Sequence, residues 1–171
     1  SVLNEDDEEV EEIVGLQGRE KIRLTADSGF SFSQKGVGAG DVICCYVTPD
    51  GKVSDILLRY DYNEENPSVS NGNAATDNSN LNAYPRYFTG YVNDVVDGII
   101  KVGYNSKDKC DLAFDPSFIP VLVYDSGRKI GQRAYEGRVE DAITPDMDYG
   151  NASLVFVNTV WVSPRCIIIY K

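Results

Sequence analysis

The alternation of apolar and polar residues along this chain is that of strands. Residues 21–25 (KIRLT) alternate strictly, the period of two that buries one face of a strand and leaves the other wet. Residues 42–48 (VICCYVT) are rich in β-branched and aromatic side chains. Pro49-Asp50-Gly51 follows as a tight turn, in which proline presets φ and glycine supplies φ > 0. Residues 52–62 then resume as a strand, so 40–62 predicts a β-hairpin. Further strands are expected at 87–95, 98–104, 121–124, 154–159 and 165–170. Turn signals recur about every 8–12 residues, the spacing of a sandwich or barrel. Val10, Ile13, Val14 and Leu16 are spaced as on a helix, but Gly15 and Gly18 interrupt them. No stretch predicts a helix of about ten residues or more.

Residues 63–83 (NEENPSVSNGNAATDNSNLNA) hold one valine and one leucine among Asn, Ser, Asp, Glu and Gly. Such a segment cannot bury enough apolar surface to offset its ordering, so it predicts a linker loop. The chain then reads as a first β module over 1–62, the polar linker over 63–83, and a second β module over 84–171. The two modules close alike: Ile56-Leu57-Leu58-Arg59-Tyr60 in one, Cys166-Ile167-Ile168-Ile169-Tyr170 in the other. The expectation is an all-β protein of two small tandem barrel-like (OB/SH3-like) modules, closure sparing each a long exposed edge strand. One continuous sandwich is the alternative. Ile56, Leu58, Ile167 and Ile169 are expected among the core-facing positions of the closing strands.

Several phrases carry a resemblance: SVLNEDDEEVEEIVGLQGREKIRLTAD, then AGDVICCYVTPDGKVSDILLRYD, the Asn-rich gap, RYFTGYVNDVVDGIIKV, FIPVLVYDSGRK, GRVEDAI and ASLVFVNTVWVSPRCIIIY. Together they resemble the C-terminal β-rich region of S-layer-homology-domain surface proteins of clostridia-like Gram-positive bacteria. The resemblance spans nearly the whole chain, through strand-and-turn patterns rather than chemical signatures. It implies a secreted, extracellular, cell-surface setting and a structural role in surface-layer assembly or as a spacer. The wall-anchoring repeats of that family are not in this sequence, so anchorage is expected from other parts of the parent protein. Met147 is the only methionine, and no signal-peptide pattern precedes the acidic start. The chain is therefore expected to be a fragment or a matured product.

Composition narrows the chemistry. At 42% hydrophobic and 25% charged the chain predicts a packed core rather than global disorder. A net charge of −11, with no basic run, argues against nucleic acid and anionic membranes, where Lys and Arg must neutralise phosphate. The longest apolar runs fall far short of the roughly 20 residues of a membrane helix. There is no histidine, hence no His-based triad, His base or His ligand. The expectation is no enzyme, no cofactor and no catalytic or metal site.

Each candidate cluster has a competing plain explanation. The run 5–12 carries seven carboxylates in eight positions. A cation site or a patch for a basic partner is one reading, and a solvated hairpin turn the favoured one, because a calcium loop needs spaced ligands and a glycine bend. Asp146 and Asp148 begin an Asp-x-Asp pattern, but Val157 stands where an EF-hand needs its bidentate glutamate. Cys44, Cys45, Cys110 and Cys166 lack a Cys-x-x-Cys spacing. Buried apolar cysteines are favoured over zinc or redox chemistry, while disulfides stay open for a secreted chain. Asp94 with Asp97, or Glu140 with Asp141, could pair as in a glycosidase, yet among 27 acidic residues close pairs arise by chance. The eleven tyrosines and Trp161 could stack on sugars, although cross-strand packing explains them more simply. Gly36, Gly38 and Gly40 mimic a phosphate loop without its Lys-Ser/Thr.

The expected partners are copies of the chain itself or neighbouring domains of its parent, with glycans possible. A glycan- or protein-binding surface module and a virion subunit are the rival readings. Self-association is expected to strengthen as salt screens the repulsion between chains of −11.

Overall fold

A computed structural model describes residues 2–3, 9–63, 65, 86–103, 110, 112–145, 151–160 and 163–171. The chain divides into two compact units, 1–66 and 67–171. Apart from Asn63 and Glu65, the expected linker lies outside the described residues. The described residues form strands and turns with no α-helix, and a single 3-10 turn at Val139–Asp141. The protein is all-β.

The first unit contains β1 (Val2–Leu3), β2 (Glu9–Val10), β3 (Glu12–Gln17), β4 (Glu20–Thr25), β5 (Val42–Val47) and β6 (Val53–Tyr60). They pair as three antiparallel ribbons, β1–β2, β3–β4 and β5–β6. The helix-like spacing near Leu16 is thus a strand: Gly15 sits within β3 opposite Ile22, and Gly18 takes φ 60° in the turn to β4. The Pro49-Asp50-Gly51 turn forms as expected, with Gly51 at φ 86° and its N–H donating to Thr48 O at 2.9 Å. The Thr48 hydroxyl bridges the same turn to Lys52. A parallel bridge from Ala26 to Val53 ties the β3–β4 ribbon to β6. Around it lies a small core of Ala26, Phe32 and Val53, with Ile13, Leu24, Phe30, Val37, Cys45 and Ile56 packed on it.

The second unit contains β7 (Arg86–Val96), β8 (Ile99–Gly103), β9 (Leu112–Phe114), β10 (Val121–Tyr124), β11 (Ala134–Glu136), β12 (Leu154–Val160) and β13 (Ser163–Tyr170). They form one sheet in the order β11-β10-β13-β12-β7-β8-β9, antiparallel except for the β10–β13 pair. Register sets its two faces. Val121, Ile167, Val157 and Phe88 stand in one row and Val123, Ile169, Val155 and Gly90 in the next, all on one side. Leu122, Ile168, Phe156 and Thr89 fill the alternate row. Both sides are buried at the centre: Val121 to Tyr124 and Leu154 to Val157 are each buried without a break. Phe114 from one edge strand and Tyr135 from the other pack on the same cluster, with Val139 of the 3-10 turn. The sheet therefore curls around one core.

It does not close. The tandem barrels expected from the sequence need a last strand hydrogen-bonded to the first, and no sheet among the described residues is closed. The edge strands β9 and β11 are three residues each, too short for a long seam. The likeness between the two modules holds at the level of one hairpin. Val42 pairs with Tyr60 and Leu154 with Tyr170, and both tyrosines are buried, but β5–β6 stands as a ribbon while β12–β13 lies inside a seven-stranded sheet. Of the four expected core positions, Ile167 and Ile169 are fully buried, and Ile56 and Leu58 are half-buried. A two-stranded ribbon has less to bury its faces against.

Candidate functional site

The acidic run is partly put to structural use. Glu11, just before β3, reaches the turn that follows β4. Its carboxylate accepts hydrogen bonds from the Ser31 hydroxyl at 2.9 Å, the Ser33 amide at 3.0 Å and the Ser33 hydroxyl. Ser31 and Ser33 flank Phe32, so this clamp pins the loop that inserts the only phenylalanine of the first core cluster's buried set. Bonds from the Ser33 side chain and then its amide stabilise the ionised form and pull the Glu11 carboxyl down from 4.5 to about 2. Glu12 pairs with Arg23 across β3–β4 at 2.5 Å. Residues 5–8 of the run lie outside the described residues.

The clamp gives a pH prediction. A carboxyl whose folded pKa is depressed adds stability above its unfolded value, and that stability is lost as pH falls through the folded value. Glu11→Gln should therefore lower the urea midpoint of the first unit at pH 7. The gap to wild type should close between pH 4.5 and about 2. A gap independent of pH would show that the carboxylate charge does not hold the loop.

The paired carboxylates make local contacts in turns and strands. Asp97 takes φ 52° and Gly98 φ 78°, forming the two-residue turn between β7 and β8. Asp94 lies on β7, bonded to the Val95 amide at 2.9 Å and to Lys101 at 3.1 Å. Asp141 closes the 3-10 turn by accepting from the Arg138 amide at 2.7 Å, while Glu140 is exposed. Asp97-Gly98 is an Asp-Gly dipeptide of the kind that marks a two-residue hairpin turn, a signal the sequence offers for the first of these placements.

The cysteines are free thiols. Cys44 and Cys45 fall on opposite faces, as adjacent strand residues must: Cys44 beside Leu57 is exposed, and Cys45 beside Ile56 packs on the core. Burial raises the Cys166 thiol to about 11 and also raises Cys45, which the neighbouring Cys44 pushes further. Those two are poor nucleophiles at neutral pH. Cys110 is exposed and donates to Leu112 O at 3.3 Å.

The tyrosines are spent mostly on packing. Tyr124 and Tyr170 lie side by side with ring centroids 5.9 Å apart, and Tyr87 stacks on Phe156 at 5.4 Å. Of the described tyrosines only Tyr46 is exposed, so they do not assemble a broad stacking face. Trp161, Asp146 and Asp148 lie outside the described residues. The glycine-rich segment is a bend held by Asp41, whose carboxylate accepts from the Gly38 amide at 2.7 Å and the Tyr62 amide at 2.9 Å.

Among the described residues no group of three or more Cys, Asp or Glu is placed to hold a metal ion. No helix among them is long and apolar enough to cross a membrane. The β5–β6 ribbon leaves Tyr46 57% exposed, Val47 55% and Leu57 41%, with Cys44 beside Leu57, while Phe118 and Ile130 are the most exposed apolar residues elsewhere among the described residues. Comparison with protein-family models, curated proteins and solved structures gives no match.

Proposed function

We propose that this chain is a non-catalytic structural module of a bacterial cell-surface protein of the S-layer type, packing against copies of itself or against neighbouring domains of its parent. The observation that carries the reading is the β5–β6 ribbon. It presents Tyr46, Val47 and Leu57 to solvent on a two-stranded sheet. Apolar strand surface of this kind gains from being covered, at roughly 25 cal/mol per Å². The carboxylates described above supply turns, caps and clamps, which supports a role without turnover. The sequence resemblance supplies the extracellular setting.

The test is sedimentation at about 1 M salt, where the Debye length is about 3 Å and the repulsion between acidic chains is screened. The mass should rise with protein concentration, and Tyr46→Ser with Leu57→Ser should suppress the rise. A chain that stays monomeric there, yet binds one glycan tightly on an array, would be a binding module instead.

A further inference from the structure

The exposed face of the β5–β6 ribbon is patterned as well as apolar. On β6, Asp55, Leu57 and Arg59 follow one another at every second residue, the spacing that keeps strand side chains on one face. On β5, Cys44 lies opposite Leu57 and Tyr46 opposite Asp55. The register shifts between Val42 and Ile43, which leaves Arg59 without a partner on β5. Its Nε donates to Cys44 Sγ at 3.4 Å, and this holds the guanidinium on the same face as Leu57. The bond takes only one of the guanidinium's N–H donors. At the other end Lys35 Nζ lies 2.8 Å from Asp55 Oδ1, in an ion pair open to solvent on both partners. Hydrogen bonds from Lys35 and then the Ile56 amide hold the Asp55 carboxyl below its usual range, so it is charged at neutral pH. An exposed lysine pair of this kind is worth little and yields to a better partner.

The row has a symmetry of its own. Leu57 stands between an anion and a cation, each about 7 Å away along the strand. Turning the face over, about an axis through Cys44 and Leu57 perpendicular to the strands, returns the same row read backwards. Leu57 then meets Leu57, Cys44 meets Cys44, and Asp55 meets Arg59 twice. An isologous contact requires a face that is complementary to its own reversed copy, in charge as well as in polarity.

We propose that two copies of the chain pack ribbon on ribbon about this twofold axis, with Leu57 at the centre, Tyr46 alongside, and Asp55 of each copy facing Arg59 of the other. This contact rests on the self-assembly reading and gives it a geometry. Both halves of it lie within the first unit, so the second unit supplies none of it. Stacked, the two ribbons make a small sandwich with its sheets about 10 Å apart, which covers the apolar side chains that each ribbon alone leaves wet. Arginine offers the carboxylate a planar fork where Lys35 offers a point charge, so the facing pairs are the stronger ones. Being isologous, the contact closes as a pair and gives a larger assembly its twofold node.

Asp55→Arg and Arg59→Asp test it in the full chain, by sedimentation at about 0.15 M salt, where the Debye length is about 8 Å and facing charges still act. Each variant alone sets like charges against each other twice and should dimerise about tenfold more weakly than wild type. For Asp55→Arg this runs against net charge, since the substitution makes the chain less negative. An equimolar mixture of the two should dimerise at least as tightly as wild type, because every facing pair is then opposite in sign. Circular dichroism checks that each variant keeps its strand content. A second readout leaves both charges in place. In a Cys110→Ser background, which removes the other exposed thiol, a short bismaleimide should join two chains, and Cys44→Ser should abolish the product. Wild type that stays monomeric, variants that associate like wild type, a mixture no tighter than its parts, or a Cys44 that does not cross-link would each overturn the proposal. The self-assembly reading is judged separately, by association at about 1 M salt that Tyr46→Ser with Leu57→Ser suppresses. That result, together with charge variants that behave as wild type, keeps the reading and sinks the twofold arrangement.

Discussion

Truncating Ile167 to alanine should lower the stability of the second unit by about 2–5 kcal/mol, read from its urea midpoint with Trp161 fluorescence as the reporter. Ile167 has no exposed surface and stands between Val121 on β10 and Val157 on β12. Its removal loses the transfer energy of the buried carbons and leaves a void that three paired strands cannot collapse into without breaking register. Leu58→Ala, on the half-buried face of a two-stranded ribbon, should cost distinctly less. Equal losses at the two positions would show that the core of the second unit is no better packed than the first unit's ribbon.

Gly90→Ala should also destabilise, by roughly 1–3 kcal/mol, although it adds a single methyl group. A Cβ at Gly90 would lie 2.7 Å from Val102 Cγ1 and 2.9 Å from Gly103 O. Val102 is buried and β-branched, so its rotamer cannot swing away. Gly103 O belongs to the backbone of β8, which pairs with β7 through Tyr91 and Gly103. The strands must therefore separate locally. Gly15→Ala makes the control: a Cβ there meets nothing within 4 Å, and the change should be close to neutral or mildly stabilising. A Gly90 variant with an unchanged midpoint would mean that β7 and β8 approach less closely than described.

The strands that could be read from the sequence are those whose signal is local. Residues 121–124 and the hairpin around Pro49-Asp50-Gly51 are found where β-branched runs and turn chemistry put them. The edge strands β9 and β11 escaped notice because three residues are too few to show a period. β3 was obscured by Gly15, which weakens strand and helix patterns alike. Barrel closure was inferred from the regular spacing of strands, but spacing says nothing about which strand lies beside which. The parallel pairing of β10 with β13 and the Glu11 clamp on Ser31 and Ser33 share a cause: their partners are distant in sequence. A carboxylate destined for a serine turn looks the same in the sequence as one destined for water.

The parallel pair of β10 and β13 in the second sheet also bears on how the chain reaches this structure. In the first unit each ribbon joins strands that follow one another, so its pairing closes short loops. Val121 meets Ile167 only after β11 and β12 have been laid down between them. Closing that long loop costs entropy before any contact rewards it, which makes this pairing slow to form. Until it forms, the runs 121–124, 154–157 and 167–169 are uncovered, and these are segments of the kind that join other chains edge to edge. The excess of carboxylates acts in that interval as well. It keeps nascent copies apart while their stickiest strands wait for each other, and so guards the folding of a chain whose finished form is proposed to assemble.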